Sequence, residues 1–359
     1  MFPEEIVVDI LLRLPAKSIG RFRCVSKPWK SLLSEPQFIK AHLNRIKQHP
    51  TTEESIICRH FYALYSTRLN NAHHLFDEIK GFATKLNLDG HCFDLFDFQF
   101  ASCDGLILVR DVEIKLLLIN PTTREVKPLP EIDPLLSPVI FGIGYDSVND
   151  DYKVVIAGIS DEGLIFFIYS VKNGSWKRVE KNVPFDHNAS FFSTGVFVNG
   201  YIHWVAYKKD VSIIAAFNVA EEKFCELPLP SIADIKKYSI DDYDPEKGEL
   251  VFHILVELGG CLSGFPYRIP TNVWMMKEYG VQESWTFIPI NDSDSGFRPL
   301  SLLGKEQMVM LMNDEKLVMY NLEKGTFKDI TVQGIPSDFS VGMSFIETLV
   351  SPHCNNEAM

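Results

Sequence analysis

Residues 1–43 read MFPEEIVVDILLRLPAKSIGRFRCVSKPWKSLLSEPQFIKAHL and decide how the chain is organised. Pro3 suits the first position of a helix, because its missing N–H would be unpaired there anyway. Glu4 and Glu5 then lie against the positive end of the helix dipole. The apolar residues that follow cover more than the single stripe that an ordinary surface helix needs. The predicted helix therefore has a second apolar face, which another surface must cover.

Three more short helices are predicted in the same stretch. Leu14-Pro15 ends the first helix, since the residue before a proline is pushed out of the α region, and Ser18 is the expected cap of the second. The third is expected to begin near Ser26 and the fourth near Ser34. Chains of about 40 residues rarely fold without disulfides, a metal or a partner. Association with another protein is the simplest explanation for so much apolar surface.

Short motifs run through these residues in a fixed order: Pro3-Glu4-Glu5-Ile6, Ile10-Leu11, Arg13-Leu14-Pro15-Ala16-Lys17-Ser18, Arg21-Phe22-Arg23-Cys24-Val25-Ser26-Lys27, Trp29 and Pro36-Gln37-Phe38. This order resembles the F-box of plant F-box proteins, although leucine is usual where Phe2 stands. The resemblance implies docking on a Skp-type adaptor through Phe2, Pro3, Ile6, Ile10, Leu14, Pro15 and Val25. Trp29 is expected to pack inside the helical unit. The alternative is that all of these side chains form only an internal core.

The composition describes a folded protein of about two domains. A chain of 359 residues with 46% hydrophobic and 23% charged residues is long enough and apolar enough to bury a large core. No apolar run is long enough to span a membrane, and no secretory signal is visible. The seven cysteines are scattered and odd in number, which indicates free thiols. We expect a cytosolic or nuclear protein.

The net charge of −12 is divided unevenly. Residues 1–45 carry a net charge of +4, which leaves −16 for the rest of the chain. An acidic domain argues against binding to the phosphate backbone of nucleic acid and favours a neutral or basic protein partner. The alternative is that the charge serves only solubility.

From about Ile56 onward, short runs of valine, isoleucine and aromatic residues alternate with turn residues, which is typical of many short strands. Leu75, Ile79, Phe82 and Leu86 stand at helical spacing in a sequence that otherwise forms helix poorly. The stretch from 75 to 86 is therefore left open between helix and strand.

A repeated hairpin is visible in this part of the chain. Each copy has an apolar or aromatic residue seven positions after its first residue, and the pairs are Ile119 with Val126, Tyr169 with Trp176, Phe217 with Phe224, and Tyr320 with Phe327. A fifth unit, from Met276 to Trp285, is two residues longer. Another strand precedes each hairpin, and these strands are expected to begin near Gly105, Asp151, Gly200, Gly248 and Glu306.

A period of about 50 residues with several strands is that of a kelch-like propeller blade. Five units are visible, and Ile56 to Tyr65 with Asp97 to Phe100 would supply another. We expect the final apolar stretch, Met343 to Val350, to close the ring with it. The sequence thus predicts about six irregular blades. The competing arrangement is a β-sandwich or a pair of sandwiches.

Further motifs run along the whole large domain: Ser102-Cys103-Asp104-Gly105-Leu106, Asn120-Pro121-Thr122-Thr123-Arg124, Gly142-Ile143-Gly144-Tyr145-Asp146, Asp150-Asp151-Tyr152-Lys153-Val154-Val155, His203-Trp204 and Val273-Trp274-Met275-Met276-Lys277-Glu278-Tyr279-Gly280-Val281. They resemble the plant F-box-associated domain of the interaction type, including the S-locus F-box group. The resemblance implies a multidomain chain of an all-α F-box over residues 1–45 and an all-β, kelch-like β-propeller over residues 46–359.

No motif in the sequence has the neighbouring residues that a phosphate-binding, metal or catalytic site requires. Gly142-Ile143-Gly144 precedes a predicted strand, whereas a phosphate loop must open a helix. His73-His74 and His91-Cys92 lack the second ligand pair of a metal site. His203 has no nucleophile and orienting acid that can be placed beside it, so we interpret it as a core histidine. We predict no catalytic, cofactor or metal site, and hence no cofactor.

These inferences and resemblances together indicate the substrate-recognition subunit of a Skp–cullin–F-box (SCF) ubiquitin ligase. Such a subunit reaches cullin and RING subunits through the adaptor and does no bond chemistry itself. Alternatives are a scaffold or sequestering protein that does not cause degradation and, less favoured, an independent propeller enzyme. Substrate-binding residues are unknown, and five long connections are nominated to hold a target: Glu131 to Ile140, Pro184 to Thr194, Ser231 to Asp241, Leu258 to Thr271 and Asn291 to Pro299.

Overall fold

The computed structural model describes residues 4–48, 54–69, 79–88, 90–93, 100–113, 115–132, 138–160, 163–179, 193–208, 211–231, 243–244, 249–250, 252, 254–265, 272–290, 295–304, 306–313, 315–336 and 339–353. Four helices come first, and strands make up most of the remaining described residues. None of the described helices is long and apolar enough to span a membrane.

The four helices are α1 (Glu4–Leu12), α2 (Ala16–Phe22), α3 (Lys27–Ser34) and α4 (Pro36–Gln48), which together form the helical unit. Ser26 caps α3, because its Oγ accepts a hydrogen bond from the Trp29 amide at 3.3 Å. The predicted cap of α2 is wrong. This helix begins directly after Pro15, so Ser18 lies inside its first turn, and no described side chain caps the helix. Proline alone can start the helix, since its φ is already helical.

The strands form six antiparallel blades, followed along the chain from the first strand to the last. Blade 1 contains β1 (Glu54–His60), β2 (Ala63–Leu69) and β3 (Ile79–Lys85), and the last strand of the chain, β27 (Ser340–Phe345), completes it. Blade 2 contains β4 (Ala101–Cys103), β5 (Leu106–Arg110), β6 (Leu116–Asn120) and β7 (Glu125–Pro128). Blade 3 contains β8 (Pro138–Asp146), β9 (Asp151–Ser160), β10 (Gly163–Ser170) and β11 (Ser175–Arg178), and the short β12 (Ser193–Thr194) lies beside β8.

Blade 4 contains β13 (Val196–Val198), β14 (Tyr201–Lys208), β15 (Val211–Asn218) and β16 (Lys223–Leu227). It is followed by the short pair β17 (Tyr243–Asp244) and β18 (Glu249–Leu250). Blade 5 contains β19 (Ile254–Leu258), β20 (Cys261–Phe265), β21 (Val273–Met276) and β22 (Trp285–Ile288). Blade 6 contains β23 (Phe297–Leu303), β24 (Gln307–Met312), β25 (Lys316–Asn321) and β26 (Thr326–Gln333).

The blades are arranged as a closed ring. Around its centre, β4 contacts β8, β8 contacts β13, β13 contacts β19, β19 contacts β23, and β23 contacts β27. Six apolar clusters fill the described interior, one between each pair of neighbouring blades. Each sheet thus buries its two faces against its neighbours, as in a propeller. The predicted propeller of about six blades is confirmed, and the sandwich is excluded.

The two ends of the propeller chain meet in blade 1. Strand β27 pairs antiparallel with β1, and Phe345 lies opposite Ser55. The outer strand β26 also pairs with β3 in parallel, from Ile330 opposite Ile79 to Gln333 opposite Phe82. The predicted closure by the final apolar stretch is confirmed for Met343, which pairs with Ile57. Of the other predicted contributors to this unit, Asp97 to Gln99 lie outside the described residues.

The repeated hairpins join the third strand of a blade to the fourth. Each predicted pair faces across the two strands: Ile119 with Val126, Tyr169 with Trp176, Phe217 with Phe224, Tyr320 with Phe327, and Met276 with Trp285. In blade 4, Asn218 Oδ1 accepts hydrogen bonds from the amides of Ala220 and Glu221, at 3.0 and 2.8 Å. Glu222 then takes a left-handed conformation with φ 56°. Asparagine suits this turn because its side chain replaces the missing ladder partners.

Two parts of the strand assignment need correction or completion. The stretch left open between helix and strand contains β3, which pairs with β2 on one side and β26 on the other. The second strand of blade 5 begins at Cys261 rather than near Gly248. Gly248 lies outside the described residues, and directly after it comes β18, whose partner among the described strands is β17.

The motif Gly142-Ile143-Gly144 lies within β8, so the rejection of a phosphate loop agrees with the structure. A Cβ on Gly142 would come within 2.6 Å of Ile202 in blade 4 and 3.0 Å of Trp204. Trp204 Nε1 donates a hydrogen bond to the Phe141 carbonyl at 3.3 Å. Glycine is needed here because Trp204 of blade 4 lies directly on the first strand of blade 3.

A buried ion pair joins blades 3 and 4. Lys153 Nζ lies 2.8 Å from a carboxylate oxygen of Asp146 and 2.8 Å from one of Glu222, and it donates to the Val219 carbonyl at 3.0 Å. The Asp146 side chain has no exposed surface, and that of Lys153 is 7% exposed. Burial raises the pKa of Asp146, but hydrogen bonds from Asn149 and Lys153 outweigh it and lower the pKa to about 2. Both partners are therefore charged at neutral pH.

Candidate adaptor-docking surface

The helical unit has an inner face that is buried. Its core consists of Leu11, Ala16, Ile19, Leu33 and Phe38, together with Leu349 from the segment after β27. Half-buried side chains close this core, among them Leu14 and Trp29. The Trp29 ring meets the Phe22 ring edge to face, with centroids 5.5 Å apart. The expectation that Trp29 packs inside the helical unit is confirmed.

The outer face of the helical unit carries apolar side chains in water. Ile6 is 47% exposed, Ile10 is 54% exposed and Val25 is 66% exposed. Pro15 is also exposed. Ile6 and Ile10 are four residues apart on α1, so they lie on the same side of this helix. We call Ile6, Ile10, Pro15 and Val25 the apolar face.

Not every residue in the predicted adaptor set belongs to the apolar face. Leu14 packs against the core of the helical unit and is half-buried, so only part of its side chain is exposed to solvent. Phe2 and Pro3 lie outside the described residues. The roles of these three residues in adaptor binding stay predictions.

The corner that presents Val25 is fixed by hydrogen bonds. The Val25 amide donates to the Phe22 carbonyl at 3.0 Å, which continues the last turn of α2. The Arg23 guanidinium donates to the Leu33 carbonyl at the end of α3, at 3.1 Å from Nε and 2.8 Å from Nη2. Burial lowers the pKa of Arg23, partly offset by Glu125 in blade 2. The corner is thus held in place before any partner binds.

The end of α1 is fixed to α4 by a buried histidine. His42 is 1% exposed, and its Nε2 lies 2.8 Å from the Leu14 carbonyl. A carbonyl oxygen only accepts, so His42 Nε2 carries the proton and donates. Burial lowers the pKa of His42, and none of the described residues makes a hydrogen bond with its Nδ1. The neutral ring therefore fixes Leu14, which directly precedes Pro15 of the apolar face.

The helical unit is bound firmly to one end of the propeller. Leu43 and Ile39 of α4 pack against the apolar cluster between blades 2 and 3. Lys47 Nζ lies 2.6 Å from Asp104, whose side chain is 5% exposed. Leu349 enters the helical core from the other side. The helices and the ring therefore share two apolar contacts and have a fixed relative position.

Asn120 holds the segment that carries Leu349. Its Nδ2 donates to the Thr348 carbonyl at 3.2 Å and to the Val350 carbonyl at 2.7 Å. Its Oδ1 caps the turn between β6 and β7 by accepting from the Thr122 and Thr123 amides. One buried side chain thus serves both a blade turn and the contact between the two domains.

The topology separates the two ends of the propeller. In an antiparallel blade, the turns between the first and second strands and between the third and fourth lie at one end. The helices lie at this end, because Asp104 and Asp150 in such turns pair with Lys47 and Lys40. Connections from second to third strands and from one blade to the next lie at the opposite end. We call the end that carries the helices the helix end, and the opposite end the free end.

Four of the five nominated target connections lie in the sequence between the last strand of one blade and the first strand of the next, and those described strands end and begin at the free end. They are Glu131 to Ile140, Pro184 to Thr194, Ser231 to Asp241 and Asn291 to Pro299. The fifth, Leu258 to Thr271, begins with the β19–β20 turn at the helix end and reaches the free end after β20. Most of their residues lie outside the described residues, so their part in target binding stays a prediction.

No catalytic arrangement is found among the described residues. They contain no group of three or more histidine, cysteine or acidic side chains that could hold a metal ion. His203 is fully buried, with Nδ1 2.9 Å from the Val196 carbonyl and Nε2 2.7 Å from the Tyr279 hydroxyl. Burial lowers its pKa to about 4, so the ring is neutral. The interpretation of His203 as a satisfied core histidine is confirmed. His73 and His74 lie outside the described residues.

The sequence pattern did not identify three structural supports of the apolar face: Leu349, Asn120 and His42. Leu349 and Asn120 act over a large separation in the chain, which no local periodicity reveals. His42 offered one signal, since it lies four residues after the buried Phe38 on the inward side of α4.

Comparison with known proteins agrees with this architecture. Residues 1–40 match the F-box domain family, and residues 55–351 match the F-box associated beta propeller domain family. F-box protein CPR1 of Arabidopsis thaliana is 30% identical over 94% of this chain and 86% of its own length. F-box/kelch-repeat protein At3g23880 of the same plant is 29% identical over 98% of this chain and 96% of its own.

Among solved structures, TolB from Acinetobacter baumannii matches with a TM-score of 0.43 and 6% identity over 82% of this chain and 65% of that chain, which is too weak to support any argument. The family matches indicate no enzymatic family. They cover both the helical unit and the ring of blades. The chain therefore belongs to the F-box proteins that carry an F-box associated β-propeller domain.

Proposed function

We propose that this protein is the substrate-recognition subunit of an SCF ubiquitin ligase. The helical unit binds a Skp-like adaptor, and through it cullin and RING subunits. The propeller binds a target protein and holds it near a ubiquitin-loaded conjugating enzyme, so that proximity is its contribution to the rate. The protein itself performs no bond chemistry. We also propose that it acts in the cytoplasm or the nucleus.

The observation that carries this proposal is the apolar face of an F-box. Isolated exposed side chains are common on proteins, but here Ile6 and Ile10 lie one turn apart on the same side of α1, and the same unit of four short helices also exposes Pro15 and Val25. The rest of that unit is already packed, on its own core and on the propeller. The helices therefore need no further partner for folding on the inner side, and the outer side remains available for an adaptor.

The test is to place charge in the apolar face. Ile6→Asp together with Ile10→Asp is expected to weaken binding to a purified Skp-like adaptor by about 100-fold or more, because buried apolar anchors carry most of the energy of such an interface. Isothermal titration measures the affinity.

Phe82→Asp is the matched control, since Phe82 is 60% exposed on the outer strand of blade 1, away from the helices. Circular dichroism and hydrogen exchange must show that the helices persist in the double variant. Adaptor binding that survives the double change in a folded protein would contradict the proposal.

The second candidate function is a scaffold that binds the same adaptor and sequesters its partner without ubiquitin transfer. The apolar face favours both functions equally, so a cellular readout is needed. In cells, the Ile6→Asp and Ile10→Asp double variant lengthens the lifetime of the bound partner if the protein directs degradation. An unchanged lifetime, together with lost adaptor binding, favours the scaffold.

A further inference from the structure

The corner between α2 and α3 carries basic side chains that face water. Arg21, in the last turn of α2, is exposed, and so are Lys27 and Lys30 in the first half of α3. None of the three side chains makes an ion pair or a hydrogen bond with a described residue. We call Arg21, Lys27 and Lys30 the basic corner.

The other described lysines of the helical unit have a different role. Each of them, Lys17, Lys40 and Lys47, pairs with an acidic side chain of the propeller or of the segment after β27, at 2.6, 3.0 and 2.6 Å. These three lysines help to hold the helical unit on the ring. The charges of the basic corner do not serve this attachment.

The stability of α3 does not account for the lysines at its start. The first turn of a helix carries positive partial charge, so a lysine is disfavoured there and favoured in the last turn. In α3 the arrangement is reversed, since Lys27 is its first residue and Lys30 its fourth, and its last turn has no basic residue. Its first turn has no acidic residue either. Contact with a partner explains these charges better than folding does.

The basic corner is continuous with the apolar face. Val25, which belongs to that face, lies two residues before Lys27, and all residues from 24 to 28 are exposed. On α1, by contrast, Arg13 is paired with Asp9 at 2.6 Å, so these two charges cancel. Positive charge without a described partner thus borders the apolar face beside Val25. Charge at one edge of an apolar contact fixes the orientation of a partner.

We propose that the basic corner binds an acidic segment of the Skp-like adaptor, next to the apolar contact. This inference rests on the proposed function and deepens it, since it assigns a charge to the partner and an orientation to the docking. The apolar face supplies most of the affinity, and the basic corner raises the rate of encounter. Residues 1–45 carry a net charge of +4 in a chain of −12, so an acidic partner is drawn towards this part of the protein.

The test measures how fast the full chain associates with a purified Skp-like adaptor. One variant combines Arg21→Glu, Lys27→Glu and Lys30→Glu, and a milder variant has glutamine at the same three positions. Stopped-flow fluorescence records the association rate at salt concentrations of about 0.01 M and about 1 M, where the screening length is about 30 Å and about 3 Å.

The matched control makes the same change of net charge at the same end of the ring, in blades 4 to 6. It combines three substitutions at exposed positions, Lys223→Glu, Lys277→Glu and Lys324→Glu. Circular dichroism verifies that all variants are folded. A glutamate at the first position of α3 favours the helix, so a slower association of the glutamate variant does not come from unfolding of α3.

At low salt the glutamate variant is expected to associate about tenfold more slowly than the unchanged protein, with the glutamine variant between them. The difference is expected to shrink at high salt, because the charges are then screened. The control is expected to keep the rate of the unchanged protein. Equal rates of the glutamate variant and the unchanged protein at low salt overturn the proposal, and so does an equal loss in the control.

Two further measurements separate the possible causes of failure. The Ile6→Asp and Ile10→Asp double variant is measured in parallel. If it loses the adaptor while the glutamate variant keeps its rate, the proposed function stands and only this inference is overturned. If the double variant binds as the unchanged protein does, both are overturned.

The second measurement asks whether a membrane occupies the basic corner instead. The full chain is sedimented with vesicles of phosphatidylcholine and phosphatidylserine. Binding to these vesicles that is lost in the glutamate variant, together with an unchanged rate of adaptor association, means that an anionic lipid surface is the partner, and this outcome also overturns the proposal.

Discussion

The helical unit and the propeller bury their apolar residues in opposite ways. In the propeller, the six described clusters each lie between two blades, so a closed ring covers both faces of every sheet. The helical unit has one small core, which Leu349 from the segment after β27 completes. Ile6 and Ile10 nevertheless remain exposed to water. A closed ring is complete by itself, whereas four short helices rely on the propeller on one side and, we propose, on an adaptor on the other.

The largest expected effect is a loss of propeller stability when the buried ion pair between blades 3 and 4 is broken. Lys153→Met removes the positive charge between Asp146 and Glu222 and leaves the fully buried Asp146 without its ion-pair partner. Loss of one member of a buried pair costs about 3–5 kcal/mol of the free energy of unfolding. Urea unfolding followed by tryptophan fluorescence measures the loss.

Lys177→Met is the control for this change. Lys177 also pairs with Glu222, at 2.7 Å, but its side chain is 71% exposed. An exposed ion pair contributes about 0–1 kcal/mol, so this variant is expected to unfold almost as the unchanged protein does. Equal losses in the two variants would show that burial of Lys153 does not decide its contribution.

The next effect tests the dependence of the helices on the propeller. Leu349 is 2% exposed, and Leu349→Ala leaves a cavity in the helical core, which costs about 2–5 kcal/mol. Faster hydrogen exchange is expected in α1 to α4 but not in blades 3 to 5. The neighbouring Ile346→Ala is the control, since Ile346 is 39% exposed and its change is expected to cost within about 0.5 kcal/mol.

A uniform increase of exchange in all six blades would contradict this prediction, because it would mean that the helices and the ring unfold as one unit. A local increase would show that the helical unit opens separately. Adaptor affinity of Leu349→Ala is then expected to fall as well, since the apolar face rests on this core.

The smallest expected effect is a loss of stability at low pH, which can be measured separately in the helical unit and in the propeller. Each contains a buried histidine that is neutral when folded: His42 in the helices and His203 in the propeller, where burial lowers the pKa to about 4. An unfolded histidine has a pKa of about 6.5 and binds the proton first. The stability that depends on neutral His203 is therefore complete above about pH 6.5 and declines as the pH falls towards about 4.

For His203 the loss at pH 5 is expected to be about 2 kcal/mol. Urea unfolding at pH 7 and pH 5 measures it, and hydrogen exchange of the helices reports the separate loss at His42. Asp146 does not interfere, because its pKa of about 2 places its own loss at lower pH. His353→Gln, at an exposed position, is the control and is expected to leave the profile unchanged. A flat profile between pH 7 and pH 5 would contradict a neutral, buried His203.

Local patterns predicted the parts of the fold that depend on near neighbours. The seven-residue spacing of Phe217 and Phe224 gave the pairing of the third and fourth strands correctly, because a tight turn fixes the register. The same logic misplaced the second strand of blade 5. There the extra pair β17 and β18 also has strand-like residues, and Gly248 precedes β18 in the sequence, so a local pattern cannot tell this pair from a blade strand.

The parts that sequence did not predict depend on contacts between distant residues. The stretch that contains Phe82 has helical spacing, but it forms a strand because β2 and β26 supply backbone partners on both sides. The exposed residues of α1 were predicted from their number and spacing, while the half-buried state of Leu14 was not. It follows from the packing of the helical core.

The closing strand β27 has a consequence for synthesis on the ribosome. The helices and β1 emerge early, but the edge of blade 1 and the last apolar residue of the helical core arrive only with Ser340 to Val350. A nascent or truncated polypeptide that stops before this point has an open ring and an incomplete seat for its helices. The proposed docking of an adaptor therefore depends on translation through Val350, because the seat of the helices is complete only at that point.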